Sequence, residues 1–326
     1  MTVNRILVTG GAGFIGSSLV DRLLQLENHV TLFDNLSKYT RYRMSSWHRN
    51  PNFRMVRADM LDKFALMKVA GTCDLVFHLA ANPSVQIGST NSEIDYQQNL
   101  LTTYNLLEAM KSATSRCKKI IFTSSSTIYG EPTVIPTPED YSPLKPISLY
   151  GATKLASESL ISGYCHLFNL SGVAARLANV IGPRSEHGVI HDFVTRLSAN
   201  NNCLEVLGDG KQNKSYLYIS DCINALIRVA EIECCFEVFN VGSEDRINVL
   251  NIAEIVIKGL CLDNVEVKYR ADGEGRGWKG DVKDMLLDSS RLGAFGWKPK
   301  YSSREAVYLT VREFVKKLNA TNTGFR

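Results

Sequence analysis

The stretch RILVTGGAGFIG, residues 5–16, constrains the fold more than any other part of this 326-residue chain. An apolar, β-branched run leads into Gly10, Gly13 and Gly16, and from Ile15 the residues Leu19, Leu23 and Leu26 keep helical spacing. Strand, glycine-rich turn and helix in that order make a cradle for a pyrophosphate. The glycines permit a tight turn, close approach of backbone N–H groups and close packing of helix on strand, while the helix N-terminus favours negative charge. The next strand, HVTLFD, ends in Asp34, an acid placed to accept hydrogen bonds from an adenosine ribose and to repel a 2′-phosphate. These features predict a bound dinucleotide, NAD rather than NADP.

The same alternation continues along the chain. RILVTG (5–10), HVTLFD (29–34), FRMVRAD (53–59), CDLVFHLA (73–80), KKIIFTS (118–124) and SGVAARLA (171–178) read as buried strands, with helical patterns between them. Right-handed crossovers then build an α/β fold, a Rossmann-type doubly wound parallel sheet with its ligand crevice beyond the strand C-termini. Beyond residue 180 the order changes. LEVLGDG, SYLYISD and EVFNVGS read as short strands, separated by helices near 189–199, 221–232 and 249–260. The expectation is a dinucleotide-binding domain over 1–180 and a smaller α/β substrate lobe over 181–326, with some of the chain crossing back.

Composition excludes several classes. With 44% apolar and 21% charged residues the chain is globular rather than disordered, and a net charge of +4 without a basic run gives no nucleic-acid footprint. The one dense basic cluster, KYTRYR at 38–43, reads as a solvated loop. No apolar stretch approaches the ~20 residues that span a bilayer, and MTVNR runs into ILVTGG with no export signal. Eight scattered cysteines without a C-x-x-C pair read as reduced thiols, so a cytoplasmic protein is expected. His187 and His191 are four apart, but Gly188 interrupts the helix start and no third ligand has matching spacing, so no metal is expected.

SLYGATK, at 148–154, sets Tyr150 four residues before Lys154, on one face of a helix. A fixed cation beside a phenol favours the phenolate, bringing a group that ionises near pH ~10 toward use as a general base. Alone the pair reads sooner as a surface pair. The rest of the chain decides.

The wider spacing Gly10-x-x-Gly13-x-x-Gly16, with ADM at 58–60, HLAAN at 78–82, Asn99, TSSSTIYG at 123–130 and YGATK, resembles the extended short-chain dehydrogenase/reductase superfamily, within it the NAD-dependent epimerase/dehydratase family and its UDP-glucose 4-epimerases. The resemblance covers most of the chain. It implies that Ser125, Tyr150 and Lys154 are catalytic. Tyr150 removes a sugar hydroxyl proton as hydride passes to the nicotinamide, and Lys154, with the nicotinamide's charge, lowers the phenol's pKa and binds the nicotinamide ribose. Ser125 holds the reacting oxygen. It further implies that Gly10, Gly13, Phe14, Ile15, Gly16, Asp34 and Asn35 hold NAD. Asp59, Met60, Leu79, Ala80, Ala81 and Asn99 do so from the later loops. A homodimer through a four-helix bundle, pairing the helix after Asn99 with the Tyr150 helix, is also implied.

Within that family, dehydratases carry an Asp-Glu pair and decarboxylases a glutamate in the turn where this chain has TSSSTIYG. The missing carboxylate points to redox without elimination, a 4-epimerase on UDP-glucose and UDP-galactose, with the N-acetyl forms admitted if Met285 leaves room at C2. A 4-keto-sugar reductase and a non-catalytic dinucleotide sensor are the alternatives. The resemblance places Ser84, Ser125, Ser126, Asn179 and Val189 at the nucleotide sugar, Arg276 at its diphosphate and Asp281 at its ribose. Lys214 stands where relatives usually have arginine, giving a point charge in place of a two-pronged contact.

Overall fold

The computed structural model describes residues 4–37, 46–82, 84–85, 87–112, 115–271 and 274–323. The basic cluster at 38–43 lies outside the described residues. The chain divides into two units, one of 1–128, 148–177 and 223–239, the other of 129–147, 178–222 and 240–326.

The first unit is built on β1 (Arg5–Thr9), α1 (Phe14–Gln25), β2 (His29–Asp34), β3 (Phe53–Arg57), α2 (Lys63–Ala70) and β4 (Leu75–His78). There follow α3 (Ser92–Asp95), a π-helical turn (Tyr96–Leu101), α4 (Thr102–Lys111), β5 (Lys119–Ser125), α5 (Leu149–Phe168) and β6 (Ser171–Leu177). The strands sit in the order β6-β5-β4-β1-β2-β3, all paired in parallel. Chain order therefore reverses between β1 and β4, the switch point at which such sheets bind ligands. Continuous apolar strands are what a sheet covered on both faces requires; Leu7, Val76, Ile120 and Ala174 are fully buried. Helix residues Leu66, Leu106, Leu107 and Ile161 pack against this core.

The strand Phe236–Val241, expected in the smaller lobe, instead closes the edge of the large sheet beside β6. Gly172 N donates to the carbonyl of Cys235, which holds that edge in register.

The second unit contains β7 (Asn179–Ile181), α6 (Val189–Ala199), β8 (Cys203–Leu207), β9 (Asn213–Lys214) and β10 (Tyr216–Tyr218). Then come α7 (Ile219–Ala230), which enters the first unit, β11 (the edge strand Phe236–Val241), β12 (Ile247–Asn248), α8 (Val249–Gly259), β13 (Glu266–Arg270), β14 (Asp284–Met285), α9 (Ser290–Ala294) and α10 (Ser303–Thr323). Its sheets are small: β10 with β7, β13 with β8, and β12-β9-β14. A separate core of Phe193, Leu197, Leu204, Ile252, Val256 and Val307 holds α6, α8 and α10 together. Among the described residues no helix is long and apolar enough to cross a membrane.

Candidate active site

The loop after β1 is shaped by lack of side chains. Gly10 has φ +67°, and a Cβ there would sit 2.7 Å from the backbone N of Ala80 at the end of β4. A Cβ on Gly16 would lie 2.3 Å from the Gly10 carbonyl oxygen. α1 begins at Phe14 and Ile15 with Gly13 as N-cap, and no side-chain hydrogen bond caps it. That cradle fits a dinucleotide pyrophosphate.

Asp34 ends β2 beside this loop. Its Oδ2 accepts from the N–H of Ala12 at 3.0 Å and its Oδ1 from that of Leu36 at 2.7 Å. Burial raises its pKa and the two N–H bonds oppose the rise. Next to it, Asn35 Nδ2 donates to Asp59 Oδ2 at 2.9 Å, joining the ends of β2 and β3. Met60 is buried, and Leu79 and Ala80 are tied to Thr9 by their N–H groups. His78 is fully buried between the hydroxyls of Thr9 and Thr103, at 2.8 and 3.0 Å, with its pKa pushed down by burial to about 3.

Asn99 lies buried in the π turn. Its Nδ2 donates to Thr153 Oγ1 on α5 at 3.0 Å and to Asp95 Oδ1 at 3.2 Å, while its Oδ1 accepts from the N–H of Asn82 at 2.9 Å. Its carbonyl accepts from the hydroxyls of Thr103, Ser157 and Thr102. Asn82 in turn donates to Asp95 and to the carbonyl of Ser84. Asp95 is therefore a centre of the site that sequence reasoning missed; its only signal is a position one helical turn before Asn99.

Tyr150 and Lys154 occupy the first two turns of α5, whose N-cap Ser148 accepts from the N–H of Gly151 at 3.1 Å. The buried Lys154 ammonium donates to the carbonyl of Thr123 on β5 at 2.8 Å and lies 5.7 Å from the centre of the Tyr150 ring. In the protein alone the phenol is not depressed as the spacing implied. Burial pushes Tyr150 up to about 12, with Asp95 adding to it. Burial likewise pushes Lys154 down to about 7, against the opposing charges of Glu158 and Asp95. Desolvation is the largest cause of both shifts.

The serines at the end of β5 have different partners. Ser124 donates to Glu158, which forms a buried ion pair with Arg176 at 2.8 Å. Ser125 Oγ accepts from the N–H and the hydroxyl of Thr127, and Ser126 opens a 3₁₀ turn through Tyr129.

In the second unit Asn179 Nδ2 donates to the carbonyl of Ser215 at 3.1 Å, and Val189 opens α6 behind Gly188. Lys214 pairs with Asp281, Nζ to Oδ1 at 2.5 Å, and Met285 is buried beside it on β14. Arg276 contacts Glu131, Glu274 and the carbonyl of Asp281. Both cations expected at a diphosphate thus have carboxylate partners, and Glu131 and Glu274 had not been singled out. Arg276 holds the Glu131 carboxyl below its ordinary range.

Comparison with known proteins agrees with this architecture. Residues 6–242 match the NAD dependent epimerase/dehydratase family. A solved UDP-galactose 4-epimerase is 41% identical and superposes with a TM-score of 0.84, covering 96% of this chain and 99% of its own. UDP-glucose 4-epimerase of Mycolicibacterium smegmatis is 32% identical over 96% of this chain and 99% of its own length. The UDP-glucuronic acid 4-epimerase of Bacillus cereus, solved with UDP-glucuronic acid and NAD, is 29% identical with a TM-score of 0.85, covering 96% and 99%. A mostly parallel seven-stranded sheet with a glycine cradle at its switch point, matched along nearly its whole length by epimerases of the same fold, makes this chain a member of the NAD-dependent epimerase/dehydratase family.

Proposed function

We propose that the protein is a UDP-hexose 4-epimerase that interconverts UDP-glucose and UDP-galactose through a transient 4-keto sugar. The observation that carries this reading is the turn 123–130: it supplies Ser125 beside the Tyr150–Lys154 helix and contains no carboxylate to eliminate water or assist decarboxylation. Bound NAD supplies the hydride acceptor and donor at C4. Tyr150 takes the C4 hydroxyl proton and returns it, Ser125 holds the reacting oxygen, and Lys154 adjusts the phenol and binds the nicotinamide ribose. A phenol at about 12 in the protein alone needs a further positive charge to act as a base, and oxidised nicotinamide carries one.

Gly10, Gly13, Phe14, Ile15 and Gly16 cradle the pyrophosphate, and Asp34 with Asn35 reads the adenosine ribose. Asp59 and Met60 border the adenine, with Leu79, Ala80, Ala81 and Asn99 along the cofactor. Asn179, Lys214 and Arg276 take the substrate diphosphate and Asp281 its ribose. Ser84, Ser126 and Val189 complete the sugar-nucleotide contacts, and Met285 leaves space for a C2 N-acetyl group. The protein acts in the cytoplasm, where its eight free cysteines stay reduced. It pairs as a homodimer through α4 and α5, a reading supported by exposed Tyr104 and Leu149 on those helices and Tyr96 in the π turn before α4.

The likeness to a UDP-glucuronic acid 4-epimerase favours a second substrate for the same chemistry. The test is purified protein with UDP-galactose and no added cofactor, the sugars being separated over time. UDP-glucose formation supports the reading; turnover of UDP-glucuronate alone moves the substrate, and stoichiometric loss of added NAD(P)H makes the protein a 4-keto-sugar reductase.

A further inference from the structure

We propose that Thr127 is a positioning residue that makes Ser125 a hydrogen-bond donor toward the reacting oxygen. Ser125 ends β5, and its Oγ accepts two hydrogen bonds from one residue, the Thr127 backbone N–H at 3.2 Å and the Thr127 hydroxyl at 2.9 Å. A serine oxygen has two lone pairs and one proton. With both lone pairs engaged, the proton is what Ser125 has left to give, and among the described residues no group receives it. Ser124 makes the opposite case: its proton is committed to Glu158, deep behind the strand end. The 3₁₀ turn from Ser126 to Tyr129 brings Thr127 back over Ser125, so the arrangement is built into the backbone.

This inference rests on the reading that Ser125 holds the oxygen at C4. That oxygen alternates between a hydroxyl, which donates and accepts, and a carbonyl, which only accepts. A serine restricted to donating matches the carbonyl form and the negative charge that grows on the oxygen as its proton moves to Tyr150. A serine with a free lone pair would instead accept from the sugar hydroxyl and favour the ground state. Thr127 makes and breaks no bond. It sets the polarity of the group that touches the substrate.

The experiment is a double-mutant cycle on conversion of UDP-galactose, with S125A, T127V and S125A/T127V, and T127S as the conservative variant. Valine keeps the shape and the backbone N–H but removes the hydroxyl. T127V is expected to lower kcat on the order of 10-fold with little change in KM, as removal of a group that orients a reacting group does. T127S should restore most of kcat, and T127V should cost nothing further once Ser125 is alanine. Equal losses from T127V in the presence and absence of the serine hydroxyl, a rise in KM alone, or no rescue by T127S would overturn the inference. Unchanged kcat in S125A, or wild-type protein inactive on UDP-galactose, removes the reading beneath it and the inference with it. Thermal melts of each variant separate a folding defect from a catalytic one, T127S carrying the test if valine unfolds the turn.

Discussion

Arg276 and Glu131, 145 residues apart in the chain, face each other in a two-pronged ion pair, Nη1 to Oε1 at 2.6 Å and Nη2 to Oε2 at 3.0 Å. A diphosphate that binds Arg276 must compete with this carboxylate. Glu131→Gln keeps the shape and removes the charge, and because the pair is partly exposed the gain is modest. UDP should bind roughly threefold to tenfold more tightly at low salt, the difference shrinking as salt is added. Calorimetric titration showing equal or weaker binding would assign the diphosphate to other groups.

Asp34 braces the glycine loop through Ala12, and the proposed function gives the same carboxylate the adenosine ribose. Asp34→Ala should weaken NAD roughly 10- to 100-fold, the worth of hydrogen bonds to a charged group, and should narrow the preference over NADP by more than the loss of NAD alone. Equilibrium titration with both cofactors measures this. An unchanged ratio would mean that another residue reads the ribose.

Lys154 carries a pH signature. Its folded pKa of about 7 lies below its ordinary 10.5, so between these values the unfolded chain binds a proton that the folded one does not. Stability of the cofactor-free protein therefore rises with pH across that window, and the cost of the buried charge is fully present below pH 7. Lys154→Met should melt higher than wild type at pH 6, with the advantage falling away toward pH 10. A difference in melting temperature that is flat from pH 6 to 10 would contradict the assignment.

Glu158 and Arg176 are both buried, and each is the other's charge partner. Glu158→Ala strands the guanidinium, for which about 3–5 kcal/mol of stability should be lost. The double replacement Glu158→Leu with Arg176→Met should recover most of it. Chemical denaturation reads both, and a loss below about 1 kcal/mol in the single variant would show that water reaches Arg176.

What the sequence revealed about this molecule was its local and periodic part. β1, the glycine turn and α1 are contiguous, so their order alone predicted the cradle, and the Tyr150–Lys154 spacing lay on a helix as read. The limits of β5 and α6 also fell within a residue or two of the apolar patterns. Pairings across long separations were not visible. Nothing near Glu131 announces Arg276, and EVFNVGS has the same short apolar pattern whether it joins a small sheet or closes the edge of a large one. The direction of the Tyr150 shift was misread for a related reason: spacing reports the neighbouring charge, whereas the desolvation that dominates comes from the whole fold. Two-residue strands such as β9, β12 and β14 have no periodicity to read.

The π turn at Tyr96–Leu101 makes segment length, rather than composition, the constrained quantity there. Its extra residue sets the phase between Asp95 before it and Thr103 after it, both of which bond to Asn99. Deleting a residue between Asp95 and Asn99 would cut their separation from four to three and move the acid off the two groups that bond to it, Asn82 and Asn99. Many side chains in this turn can be exchanged; its residue count cannot.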